Sequence, residues 1–330
     1  MMSKFFKIIL LILLVFLLFL TILSFRKNPE KISYGISFSK FHSDELLLPW
    51  KEVYDTLLND VKVRKLRLSA HWPMIEPQED HYNFEDLDYQ IKEAKKSGAE
   101  VILAIGRRLP GWPECHEPDW VKNLTWEEKK TELKKYIETV IDRYKDYDNI
   151  KYWQVENEPF LTVFAREHCG SLDEQFLQEE IELTKKLDPT REILVTDSGN
   201  LGLWYGAWKH GDVFGTSVYM YLWNPTVGKI KSVYWPFIYK LKTSLIEVFF
   251  GSKKSFLIEL SLEPFLTTPI VNTSLEDQLD RMDIDKFNEV LGFAQKTGFD
   301  TQYLWGAEWW YYMKTRNHPE FLQRAKELFE

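Results

Sequence analysis

The 330-residue chain holds only two cysteines, Cys115 and Cys169. That is too few for a disulfide scaffold or a cysteine-built zinc or iron–sulfur site. Extended basic tracts are absent and the net charge is -8, so the electrostatic footprint of a nucleic-acid binder is missing. Beyond residue 32 there is no Pro/Gly/Ser-rich linker, no repeat of 20–50 residues and no low-complexity tract, which points to one domain. The Gly-rich phosphate loop of a nucleotide-binding sheet is lacking as well, since Phe38-Ser39-Lys40-Phe41-His42 follows the first strand-like run. No His-x-x-x-His pair or clustered acidic loop accompanies His71 or His116, so no metal is expected.

What is abundant is apolar and aromatic: 45% of residues are hydrophobic and 15% aromatic, enough for a large core. Ile8 to Leu23 is an unbroken run of Ile, Leu, Val, Phe and one Thr, with Lys4 and Lys7 before it and Arg26, Lys27 and Lys31 after it. It reads as a membrane segment, and the absence of a small-x-small cleavage pattern before Arg26 favours a retained anchor over a cleaved signal. Residues 1–25 are therefore assigned to an anchor or uncleaved signal, 26–32 to a linker and 33–330 to the folded domain. Lysines at both ends leave orientation to be inferred from function. For Cys115 and Cys169 the plainer reading is two free thiols, with a bridge open in an oxidising compartment. Asn123-Leu124-Thr125 and Asn272-Thr273-Ser274 match the glycosylation acceptor pattern.

Short β-rich runs recur: Tyr34 to Ser39, Lys65 to Ser69, Glu100 to Ile105, Ile150 to Val155, Glu192 to Thr196, Val213 to Tyr219, Ser255 to Leu260 and Thr301 to Trp305. Helical stretches separate them, announced by Asn83 with Asp86, Thr125 with Glu128, Ser171 with Glu174 and Ser274 with Asp277, each a capping residue three before a carboxylate. Strand–helix alternation of this kind implies parallel strands. Eight strands close most naturally as a (β/α)₈ TIM barrel of class α/β, with a doubly wound open sheet as the rival. The segment from Asp197 to Asp212 is too short for a full helix. Tyr234 to Ile238 and Val248 to Phe250 are apolar for an outer barrel helix, which suits a lid or packed helix, or a membrane-facing surface.

In such a barrel the chemistry sits at the C-terminal ends of the strands. Glu158 and Glu259 lie there, just past buried-looking runs, and a charge in that position is costly to bury without a purpose. With them come Arg67, His71 and Trp72 after the second strand, Asn157 after the fourth, Tyr219 after the sixth, and Trp305 and Glu308 at the eighth. A retaining glycosidase needs one carboxylic acid to protonate the leaving oxygen and one carboxylate to attack the anomeric carbon. Glu158 is assigned as acid/base and Glu259 as nucleophile, with Arg67 and Tyr219 donating to Glu259 and Asn157 bonding the sugar 2-hydroxyl. Trp112, Trp120, Trp204, Trp208, Trp223, Trp235 and the pair Trp309-Trp310 offer flat faces for pyranose rings, about half of them serving as ordinary packing. Glu156 and Glu263 are the nearest rival carboxylates. A structural ion pair with Arg67 or Arg108 is the alternative use of the two glutamates.

The ordered set Arg67-Leu68-Ser69-Ala70-His71-Trp72-Pro73-Met74-Ile75-Glu76-Pro77, Pro110-Gly111-Trp112-Pro113-Glu114-Cys115-His116, Trp153-Gln154-Val155-Glu156-Asn157-Glu158-Pro159, Glu259-Leu260-Ser261-Leu262-Glu263-Pro264 and Leu304-Trp305-Gly306 resembles the retaining glycoside hydrolase clan with barrel glutamates on strands four and seven. That clan includes cellulase-like, mannanase-like and β-galactosidase-like families. The resemblance implies that Arg67, Asn157, Glu158, Tyr219 and Glu259 take the clan's conserved site positions and that Trp305 is the platform under the cleaved sugar. Trp112 and His116 fall in its sugar-lining loop. One departure is the end of strand three, where Gly106-Arg107-Arg108 replaces a histidine found in some families. The implied protein is a membrane-anchored, extracytoplasmic β-glycosidase that binds carbohydrate and requires no cofactor. A glycan-binding barrel without activity and a transglycosylase using the same site are the alternatives.

Overall fold

A computed structural model describes residues 6, 21 and 25–330 except 164, 165, 225 and 267. The membrane segment expected at Ile8 to Leu23 lies outside these residues apart from residue 21. Among the described residues no helix is long and apolar enough to cross a membrane.

Eight parallel strands close into a barrel: β1 (Ser33–Ser37), β2 (Lys65–Ser69), β3 (Glu100–Ile105), β4 (Ile150–Val155), β5 (Glu192–Asp197), β6 (Val213–Val218), β9 (Ser255–Ser261) and β10 (Thr301–Trp305). A two-stranded hairpin, β7 (Tyr221–Asn224) and β8 (Gly228–Lys231), is inserted after β6. Each expected strand is present, four with the same bounds, which excludes the open sheet. A single barrel therefore holds the eight expected strands.

Two apolar layers hold it. Ile102, Leu194, Val213, Phe256, Ile258 and Tyr303 fill the inside of the barrel, while a much larger cluster packs the strands' other face against the helices. Strand residues alternate between the two layers because successive side chains point to opposite faces. One strand breaks the rule. Thr216 pairs with Leu257 and Ser217 with Glu259, so Ile258 is passed over. On the other edge Gln302 pairs with Leu257 and Leu304 with Leu260, leaving Ile258 and Glu259 opposite Tyr303 alone. This bulge turns two consecutive residues inward, Ile258 into the inner core and Glu259 onto the site.

Helix starts follow the sequence in part. Thr125 and Glu128 form a full capping box at the head of the helix Trp126–Tyr144, and Ser274 accepts from the Asp277 N–H. Ser171 does not cap the next outer helix; Asp173 accepts the Phe176 N–H and starts Glu174–Leu187. Asn83 accepts from the Glu85 N–H two residues on, ahead of the helix Glu85–Lys96, whose N-cap position is held by Phe84. A side chain reaching one residue further or nearer satisfies an orphan donor equally well, so the triplet spacing alone does not settle the cap.

Candidate active site

Arg67 is the hub. It is fully buried in the middle of β2, and its three donor nitrogens each find a partner on or just past another strand. Nε donates to Gln154 Oε1 at 2.8 Å, Nη1 to Glu259 Oε2 at 2.7 Å and Nη2 to Asn157 Oδ1 at 2.6 Å. A planar guanidinium holds such a fork rigidly. Tyr219, one residue past β6, donates its hydroxyl to the other oxygen of Glu259. Both oxygens of Glu259 thus accept hydrogen bonds, one of them from a fixed cation.

Glu158 stands on the other side of the same opening and has a different environment. Its backbone takes φ +44°, and Glu156 beside it takes +57°, a left-handed region that costs non-glycine residues about 1–3 kcal/mol each. The strain is held from several directions. The Glu158 N–H donates to Thr196 Oγ1 at 2.8 Å, and the Asn157 N–H to the Arg108 carbonyl at 2.7 Å. Glu156 turns away from the opening and clamps the preceding loop, accepting the N–H groups of Arg107 and Arg108 at 2.9 and 2.7 Å. The rival Glu156 is therefore a scaffold carboxylate, and burial raises its pKa together with that of Glu180 next to it. Glu263, the other rival, accepts from Trp305 Nε1 at 2.6 Å and pairs with His42 Nε2 at 2.9 Å.

Among the described residues the Glu158 carboxyl accepts one hydrogen bond, from Ser217 Oγ at 2.7 Å. Burial pushes its pKa up to about 8, the Glu259 and Glu114 charges adding to the rise and Ser217 opposing it. Ser217 is the register partner of Glu259 on the neighbouring strand, so the residue that bonds Glu158 sits beside the other carboxylate's backbone. The pair therefore sets a carboxyl with a raised pKa beside one that accepts from a cation and a phenol.

The other expected residues divide. Trp305 borders the opening, its ring stacked on His42 at 5.8 Å between centroids. Trp112 is 59% exposed and meets His168 edge-on, free to face a sugar. His71 and His116 pack on Phe41 and on each other. Burial depresses both imidazoles, His116 to about 4, so both are neutral near pH 7. Trp72, expected to contact substrate, is fully buried instead, stacked on Tyr136 and bonded through Nε1 to Glu76; it offers no face to a sugar. Glu308 is also fully buried, where Oε1 accepts the Ser39 N–H. Of the other tryptophans, Trp204, Trp208, Trp309 and Trp310 are packing residues, whereas Trp235 is 68% exposed.

Sequence reasoning missed two residues. Ser217 follows from the inward parity of β6 once the register is known. Glu114 lies in an irregular loop, where burial raises it to about 7 despite Arg108 beside it, and the Glu259 charge adds to the rise. The loop is tied down by a Cys115–Cys169 disulfide, Cα to Cα 5.5 Å, which corrects the expectation of free thiols. The bridge joins the loops after β3 and β4, the two that carry Glu114 and Glu158. Among the described residues no group of three or more His, Cys, Asp or Glu is arranged to hold a metal ion.

Comparison with known proteins bears on this site. The family described as glycosyl hydrolase family 10 matches residues 53–199, from the helix after β1 through β5. The β-galactosidase BgaA of Planococcus sp. (strain 'SOS Orange') is 26% identical over 129 residues, which are 33% of this chain and 19% of that protein, so the match spans about a fifth of the relative's length. Among solved structures, GH5_18 from Bifidobacterium longum subsp. longum ATCC 55813 superposes with a TM-score of 0.58 at 12% identity, over 84% of this chain and 70% of that one. Xylanase 10B from Thermotoga maritima gives 0.52 at 14% identity, over 83% of both chains. A polyextremophilic β-galactosidase from Halorubrum lacusprofundi gives 0.55 at 14% identity, over 83% of this chain and 52% of that one. These likenesses share the barrel. Together with the family match they bear out the resemblance to the barrel glycosidases.

Proposed function

We propose that the protein is a retaining β-glycoside hydrolase acting by double displacement, with Glu158 as acid/base and Glu259 as nucleophile. The single observation that carries this reading is the asymmetry of the pair: Glu259 accepts from the Arg67 guanidinium and the Tyr219 hydroxyl, while burial and its neighbour's charge raise the Glu158 pKa to about 8, so that it is protonated near neutral pH. In the first step Glu259 attacks the anomeric carbon as the Glu158 proton passes to the departing glycosidic oxygen, leaving a glycosyl ester on Glu259. In the second, the Glu158 carboxylate takes a proton from water, the hydroxyl attacks the anomeric carbon, and Glu259 leaves as carboxylate. Asn157, held by Arg67, bonds the sugar 2-hydroxyl, and Trp305 and Trp112 offer ring faces.

The reading extends to location. A disulfide between Cys115 and Cys169 suits an oxidising compartment, and with Ile8 to Leu23 as anchor the folded domain lies outside the cytoplasm. The test is turnover on β-linked glucan, mannan, galactan and aryl glycosides by wild type, Glu259→Ala and Glu158→Ala, with mass spectrometry after a 2-deoxy-2-fluoroglycoside. The expected result is an adduct on the peptide containing Glu259 and loss of turnover in Glu259→Ala. Equal turnover in wild type and Glu259→Ala, or an adduct elsewhere, removes the assignment.

A further inference from the structure

The helix Pro236–Phe250 packs Tyr239, Thr243 and Ile246 inward and presents an apolar outer face. Phe237, Val248, Phe249 and Phe250 are 48%, 57%, 69% and 55% exposed, and Tyr205, its ring 4.9 Å from that of Phe250, extends the patch. The outer face of a helix in water carries charge. Here all three charged side chains of the helix are directed elsewhere. Lys242 donates to the Gly199 and Gly202 carbonyls, Lys240 to Asn28 Oδ1 at 2.6 Å, and Glu247 accepts from Arg26 at 2.7 Å.

Those last two contacts show where the chain enters the fold. Arg26 and Asn28 lie along this same helix, so the apolar run ending at Leu23 stops three residues from a side chain bonded to Glu247, a reach of about 10 Å when extended. Phe25, 78% exposed, stands between them. A second copy or the run itself folded back could also cover an apolar face, but Ile8 to Leu23 is apolar all round, and packing one side of it on a helix leaves the remaining sides in water. Lipid accommodates every side. We propose that the outer face of Pro236–Phe250 rests on the bilayer that receives Ile8 to Leu23, with Phe25, Val248, Phe249 and Phe250 at the headgroup boundary and the Lys27 and Lys31 ammonium groups near the lipid phosphates.

The test uses the full chain reconstituted in phosphatidylcholine–phosphatidylglycerol vesicles. Because Cys115 and Cys169 are bonded to each other, one introduced thiol is the single labelling site. Phe249→Cys and Val248→Cys probe the patch. Lys96→Cys, on the helix Glu85–Lys96 that follows β2 across the barrel from β6, is the control. Each carries an environment-sensitive nitrobenzoxadiazole label, and the vesicles contain nitroxide-bearing lipid. The expected result is a blue shift and loss of emission at 248 and 249 but not at 96. Unquenched labels at both patch positions on protein that floats with the vesicles overturn the proposal, and so does failure to float. Retained far-UV circular dichroism shows that each variant is folded, and either patch position suffices if the other substitution disturbs folding.

Discussion

The hydroxyl of Ser217 donates to Oε1 of Glu158 across 2.7 Å, both groups buried. Because a hydrogen bond to a carboxylate favours the ionised form, Ser217 lowers a pKa that burial and the Glu259 charge raise to about 8. With Glu158 as the proposed proton donor, turnover is expected to fall as pH rises through about 8. Ser217→Ala removes the restraining bond and moves that alkaline limb upward by about one pH unit. The measurement is kcat/KM against pH for both proteins; coincident alkaline limbs would dissociate Glu158 from the proton donor.

Stability carries the same signature. Glu158 at about 8, Glu114 at about 7 and Glu308 at about 7 are all raised above the unfolded carboxyl range, burial being the first cause of each. Such groups bind more protons folded than unfolded between roughly pH 4.5 and 8, so their stabilising contribution is complete below that window and is lost as pH rises through it. The expected outcome is a melting temperature that falls from pH 5 to pH 8, with a smaller fall in Glu308→Gln. A melting temperature rising over that interval would contradict the assignment of neutral buried carboxyls.

Reduction should act on the site as well as on the fold. Cys115 and Cys169 are 54 residues apart in sequence, and closing a loop of that size stabilises by roughly 2–4 kcal/mol. The bridge also fixes the loop carrying Glu114 against the chain following Glu158. Cys115→Ser with Cys169→Ser is expected to melt several degrees lower and to lose kcat at temperatures where it is still folded. Unchanged kcat and melting temperature in the double variant would show the bridge to be dispensable.

Gly106 tests the clamp on the loop. A Cβ there would lie 2.4 Å from Glu156 Oε1, and its φ is +109°. Gly106→Ala displaces the carboxylate that holds the Arg107 and Arg108 N–H groups, at a cost on the order of 1–3 kcal/mol. Lower stability with a loss of kcat greater than any change in KM is the expected result, from thermal melts and steady-state kinetics. Wild-type kinetics in a folded Gly106→Ala protein would show that the clamp does not position Glu158.

The sequence made the barrel readable because each strand is a compact apolar run and each intervening helix keeps its period. Lys65–Ser69, Glu100–Ile105, Ile150–Val155 and Thr301–Trp305 needed no adjustment. The hub of the site, Arg67 with Asn157, Tyr219 and Glu259, was readable because strand ends locate it. What could not be read depends on register and packing. The bulge at Ile258 that turns Glu259 inward follows from pairing with two neighbours, and a strict two-residue alternation would send one of that consecutive pair outward. Trp72 and Trp112 both occur near prolines in loops, yet one is sealed beneath Tyr136 and the other open; local sequence carries no sign of which. Glu114 and the Cys115–Cys169 bridge belong to loops whose path only tertiary contacts define.

The barrel has two unlike ends. Glu158, Glu259 and Trp305 stand where the strands finish, whereas residues 26–28 approach β1 from where the strands begin, alongside the helix Pro236–Phe250 at Lys240 and Glu247. With seven residues β9 alone stretches about 23 Å. A barrel resting on the outer face of that helix would lie on its flank, because the outer helices run beside the strands. Its opening would then look along the membrane surface, within reach of sugars carried close to the lipid as well as of soluble chains.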